Sequence, residues 1–251
     1  MGAEGGLWRG RRLLRRHVTA GVNRGGTSPS IDRIRLGAAS WLATPLFFAG
    51  QIVAQAAWKG SHYSILSNAI SDLGVTACGN VTIVGSTAYY CSPLHAVMNG
   101  AFLVTGACLV AGAFLTWGWW QPGRRSLRAG IAMVAIAGAG KALVGFEPID
   151  VNAALHVVGS IGMPLGNIGL VLVAVGLRGH ASRLAWFSLV SGVIGSMAFA
   201  LFLGTNNLAG LWERVASYPV VVWCVVAGLW IIAATRVERP AGHPRDAMTS
   251  L

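Results

Sequence analysis

Long apolar stretches alternate with short polar ones along most of the chain. Six stretches can each cross ~30 Å of hydrocarbon as a helix, which takes about 20 residues. They run Leu36–Ala57, Leu94–Trp119, Leu127–Phe146, Ala154–Leu177, Leu184–Leu203 and Ala216–Thr235. Lipid offers the backbone no hydrogen-bond partners, so each polar peptide group must be satisfied inside its own helix. The pattern therefore predicts an all-α fold, a polytopic membrane bundle of six transmembrane helices over 34–236. Most connections are short, and the exception is the first, 58–93, an expected outer loop. Residues 1–33 are polar and rich in arginine and glycine, and are expected to form a disordered basic tail; 237–251 form a second tail.

The positions of the cations orient this bundle. Arg9, Arg11, Arg12, Arg15, Arg16, Arg24, Arg33 and Arg35 precede or open the first stretch. Arg124, Arg125 and Arg128 lie in the second connection, Arg178 and Arg183 in the fourth, and Arg236, Arg239 and Arg245 after the last stretch. These are 16 of the 19 basic residues, and all fall on one side. The other side holds Lys59 and Arg214, and Lys141 lies within the third stretch. Positive charge collects on the cytoplasmic side, so both termini are expected inside.

Composition agrees with this picture. Charged residues are 11% of the chain and hydrophobic ones 54%, too few charges to clothe a soluble fold of 251 residues. The 34 glycines suit close helix approach in lipid. The net charge of +11 could suggest nucleic-acid binding, but the cations flank apolar runs and none is expected. The run Arg9 to Arg16 could rest on anionic headgroups, or serve only as a topology signal.

Candidate chemistry gathers on the outer half. Cys78 and Cys91 share the first outer loop, where thiols can oxidise, and a disulfide between them is favoured over two free thiols. Cys108 and Cys224 fall within helices and read as packing residues. Asp72 lies in the same loop, and His95 and Asn99 share a face at the start of the second helix. Lys141 is about two turns below the outer end of the third helix, followed by Glu147 and Asp150. His156, Ser160 and Asn167 form one stripe on the fourth helix. An ionisable group at such a depth normally faces the bundle interior and pairs, so Lys141 is expected to meet Glu147 or Asp72. Asp72, His95, Asn99, Lys141, Glu147, His156, Ser160 and Asn167 are thus candidates for one outward-facing polar pocket. The chain has no H-E-x-x-H and no G-x-S-x-G around its serines, so neither a metal nor a cofactor is expected.

Ser67-Asn68-Ala69-Ile70-Ser71-Asp72-Leu73-Gly74 resembles the N-x-I-S-D-L-G signature of a prokaryotic membrane family, domain of unknown function 998. Further matches keep the family order: Cys91-Ser92-Pro93 leading into His95 and Asn99, then Leu143-Val144-Gly145-Phe146-Glu147-Pro148, then His156 and Asn167. The resemblance covers roughly Leu36 to Leu177, with the last two helices matched by hydropathy only. The short I-S-D segment is also similar to one in eukaryotic DRAM-type membrane proteins, linked to lipid remodelling and autophagy. The resemblance implies a multi-pass protein of the bacterial plasma membrane and no particular activity. With the one-sided polar residues it leads to an expected lipid-binding or structural and regulatory role in the envelope, with membrane lipids as partners. A lipid-modifying enzyme and a small transporter are the alternatives.

The orientation can be checked by cysteine labelling in intact cells. Cysteines introduced at Val81 and Asn152 should react with an impermeant reagent, and those beside Arg125 and Arg183 should not. Labelling beside Arg125 from outside would reverse the assignment.

Overall fold

The computed structural model describes residues 30–60, 62–83, 85–120, 124–204 and 208–236. The basic run Arg9 to Arg16 and the segment 237–251 lie outside the described residues. In chain order the helices are α1 (Ile31–Leu42), α2 (Leu46–Ala56), α3 (His95–Leu115), α4 (Arg125–Phe146), α5 (Ala153–Ser160), α6 (Gly162–Leu177), α7 (Ser182–Gly204) and α8 (Ala209–Arg236). They make six spans long and apolar enough to cross a membrane, α1 with α2 forming the first and α5 with α6 the fourth.

Proline accounts for both divisions. Pro45 has no N–H to give, and the chain turns over Ala43–Pro45 before helix resumes. The local carbonyls find other donors: Thr44 Oγ1 donates to Trp41 O at 2.8 Å and to Val221 O at 3.4 Å. Pro164 sits in the first turn of α6, just past the break at Ile161. Pro219 lies inside α8, which continues through it.

Short connections place consecutive spans side by side and antiparallel. Each span packs on the next, and α8 returns to α1, so the six close into a ring, with α6 also touching α8 across it. Glycine brings the helix axes together. A Cβ on Gly106 would fall 2.5 Å from Gly138 O, and one on Gly138 would fall 2.8 Å from Gly106 O. Such contact replaces the hydrophobic driving force that lipid withholds.

The two halves of the interior differ. Toward the arginine-rich end Trp41, Trp120 and Trp223 pack together with Leu109, Ile131 and Leu170. Their ring centroids lie 5.5–6.2 Å apart. Each indole N–H has an acceptor: Leu109 O, Thr116 Oγ1 and Ser188 Oγ respectively. Toward the other end a smaller apolar cluster of Phe47, Ile70, Leu73, Met98 and Phe102 lies beneath the first loop.

That loop is more ordered than the sequence reading foresaw. It contains an antiparallel hairpin, β1 (Cys78–Ile83) with β2 (Ser86–Cys91), in which Cys78 faces Cys91. The two cysteines are bridged, with Cα atoms 4.2 Å apart, as suits residues directly opposite across two strands. Asp150 holds the hairpin's base, accepting from Thr76 N, Thr76 Oγ1 and Ala77 N at 2.9, 2.7 and 3.1 Å. Two boundaries also moved. Ile31–Arg33, expected in the tail, are helical, with Ser30 Oγ accepting from Arg33 N at 3.3 Å. The last helix begins at Ala209 rather than Ala216, which brings Glu213 and Arg214 into it.

Closing a loop of this length stabilises a fold by roughly 3 kcal/mol in the chain-entropy picture. The Cys78→Ser, Cys91→Ser double variant should therefore melt several degrees lower in detergent. An unchanged melting temperature would show that the Asp150 anchor holds the hairpin unaided.

Candidate functional site

The signature segment is laid across one end of the bundle and clamped there by α8. Ile70, Leu73 and Val75 are fully buried, so the peptide groups between them cannot all reach water. Adjacent charged residues of α8 supply the partners. Glu213 Oε2 accepts from Ile70 N at 2.5 Å. The Arg214 guanidinium donates to Ile65 O, Asn68 O and Gly210 O at 2.8–2.9 Å, and to Tyr63 Oη at 2.6 Å. Asp72 Oδ2 accepts from Ala69 N at 3.0 Å and from Asn68 Nδ2 at 3.2 Å. On the far side Asn99 Nδ2 donates to Gly74 O at 2.9 Å, and Ser92 Oγ to Leu73 O at 2.7 Å. Gly210 has no room for a side chain, because a Cβ there would overlap Asn68 O.

Glu213 also lines a small cavity of about 40 Å³ between the helices. Its polar lining is Lys141, His156, Ser160, Glu213 and Ser217, set among Phe102, Leu109, Val144, Met163 and Val220. Lys141 Nζ donates to Ser217 Oγ at 3.0 Å and stands 3.9 Å from the Phe47 ring centre and 5.3 Å from that of Phe102. His156 Nδ1 lies 2.8 Å from Glu147 O, so Nδ1 carries the proton and a neutral ring keeps a lone pair on Nε2. Ser160 Oγ donates to His156 O at 2.9 Å. The cavity thus combines a cation, a carboxylate, an imidazole and two hydroxyls, in space for about three waters.

The expected pocket residues therefore separate. Lys141, His156 and Ser160 line the cavity together. Asp72 and Asn99 hold the signature segment instead, and His95 Nδ1 pairs with Ser92 O at 3.0 Å at the start of α3. Glu147 contributes its carbonyl to His156. Asn167 is fully buried and lies outside the cavity lining; its Nδ2 donates to Ala216 O at 2.9 Å and ties the fourth span to the sixth. Lys141 uses Ser217 rather than Glu147 or Asp72. For Asp72 the physical reason is the loop itself, whose Ala69 amide and Asn68 side chain occupy its carboxylate.

Sequence reasoning missed Glu213, Ser217 and Tyr63. The first two lie four residues apart on one face of α8, the spacing that aligns side chains over one turn. Starting that helix at Ala216 left Glu213 in a connection and hid the register.

The six apolar spans define a multi-pass α-helical membrane protein. The family described as "Protein of unknown function (DUF998)" matches residues 41–230, and the chain belongs to it. No curated protein and no solved structure matches the chain.

Outside the spans, burial dominates the electrostatics. It pushes the Asp72 carboxyl up from 3.8 to about 6, against the bonds from Asn68 and Ala69 and the charge of Arg214. It also raises the Tyr63 phenol, against the pull of Arg214. A carboxyl whose folded pKa is raised keeps its proton more readily when folded. Its stabilising contribution is complete below about 3.8 and is lost as pH rises through about 6. The melting temperature of wild type relative to Asp72→Asn should thus fall by a few degrees between pH 4 and pH 7. An equal difference at both pH values would contradict the assignment.

Proposed function

We propose that this protein is a lipid-associated component of the bacterial cell envelope, with its arginine-rich end in the cytoplasm. In this reading the cavity that Glu213 lines receives the polar end of a lipid or envelope precursor from the outer half. The observation that carries it is the one-sided interior. The Lys141–Glu213–His156 cavity has apolar walls, and the tryptophan cluster fills the interior toward the other end. A site accessible from one side suits binding better than passage. Its volume suits one polar group, such as a headgroup's amine or hydroxyl, rather than a whole solute. The opposed charges of Lys141 and Glu213 favour a hydrogen-bonding or zwitterionic terminus.

Transport is the second reading, favoured by one observation. Proline interrupts the first and fourth spans and lies within the sixth, and broken helices often line transport sites. Lipid modification has less support, because Ser160 Oγ is turned onto His156 O.

Native mass spectrometry of the detergent-purified protein separates these readings. Wild type should retain a lipid that Lys141→Met and Ser217→Ala lose, while Arg183→Gln keeps it. Equal lipid content in all four proteins would defeat the binding reading. Uptake of a solute into vesicles, abolished by Lys141→Met, would favour transport.

A further inference from the structure

A second binding surface lies at the opposite end of the bundle, between α1 and α8. A groove of about 560 Å³ opens there, lined among the described residues by Arg35, Ala39, Ile232 and Arg236. The four residues form two matched pairs. Arg35 and Ala39 are four apart on α1, and Ile232 and Arg236 are four apart on α8, so each pair occupies one helix face over one turn. The helices run antiparallel. Both arginines therefore stand at the rim of the bundle's end, and both apolar residues sit about 6 Å deeper, roughly one helical turn in.

We propose that this groove binds the phosphate of an anionic phospholipid, with an acyl chain lying along the seam of α1 and α8. Cations at headgroup level above an apolar seam reproduce the polarity gradient of one lipid molecule. Charge selects the lipid: Asp32 is the one acidic residue at this end among the described residues, against eight arginines. Arg35 is already held in position. Its Nη2 donates to Thr235 O at 2.7 Å and its Nε to Thr235 Oγ1 at 3.3 Å. A guanidinium has five N–H groups, so three remain for a ligand on a side chain whose orientation is fixed beforehand. The Ala39 side of the seam is open to the surface, and Leu36 and Leu229, 60% and 55% exposed, extend the apolar face beside it. This site is independent of the hairpin-side cavity and involves none of its residues.

The test is native mass spectrometry of the full chain in detergent, titrated with phosphatidylglycerol or with phosphatidylcholine of the same acyl length. Phosphatidylglycerol should bind several-fold more tightly. Arg236→Gln, which leaves the Arg35 contact to Thr235 intact, should weaken it about fivefold, the usual contribution of one arginine at a charged membrane surface. Arg183→Gln, at the same end but outside the groove, should leave it unchanged. Equal affinity for the two lipids would overturn the proposal. So would equal losses in Arg236→Gln and Arg183→Gln, which would mean diffuse attraction to a basic rim. Displacement of the lipid by millimolar inorganic phosphate would remove the acyl chain from the recognition and overturn it as well.

Discussion

Burying a segment with only one short 3-10 turn, Ser71–Gly74, at the end of a membrane bundle is permitted only if its peptide groups find partners, and here a glutamate–arginine pair supplies several of them. Glu213 accepts the amide of Ile70, and Arg214 donates to the carbonyls of Asn68 within the segment and of Ile65 just before it. An unpartnered polar group in such a place costs on the order of 1–3 kcal/mol, so the clamp decides whether the segment docks at all. Once docked, it is tied to the cavity through Glu213, which accepts the amide of Ile70 and also lines that space. The I-S-D-L-G residues are in this light a folding device first. Asp72 accepts the amide of Ala69, and Gly74 offers its carbonyl to Asn99.

The six spans were legible because hydropathy over about 20 residues is a strong signal and lipid leaves the backbone few alternatives. The Cys78–Cys91 bridge was legible from the shared loop. The hairpin joining these cysteines was not, since Asn80, Thr82, Thr87 and Tyr89 are all exposed and leave no buried apolar face to alternate with. The site was legible in part. Depth alone marked Lys141, and helical spacing placed His156 and Ser160 on one face. Its other wall was hidden because two charges at the start of α8 lowered local hydropathy and shortened the apparent helix. Charge in an apolar helix is tolerated where tertiary partners wait, and no single segment reveals those partners.

The two ends of the bundle divide the work of holding it closed. At the hairpin end, carboxylates, amides and a disulfide organise a long connection. At the other end, packing is aromatic, the indole N–H groups bond to buried acceptors, and arginines fasten the rim. Between them, Asn167 joins two spans by one bond to Ala216 O.

The rim arginines have a second role that follows from their geometry. Spans two, four and six all end there, each leaving carbonyls without helical partners. Arg33 donates to Phe114 O, Arg124 to Gly176 O and Arg178 O, and Arg35 to Thr235 O. The same cations whose one-sided placement suits orientation during insertion therefore also fasten spans distant in sequence in the folded chain. Lysine would serve the first task equally well, being counted only as a charge. It would serve the second less well, lacking a planar fork to bridge neighbouring oxygens. Among the described residues this end of the bundle holds eight arginines and no lysine, a composition that suits fastening as well as charge.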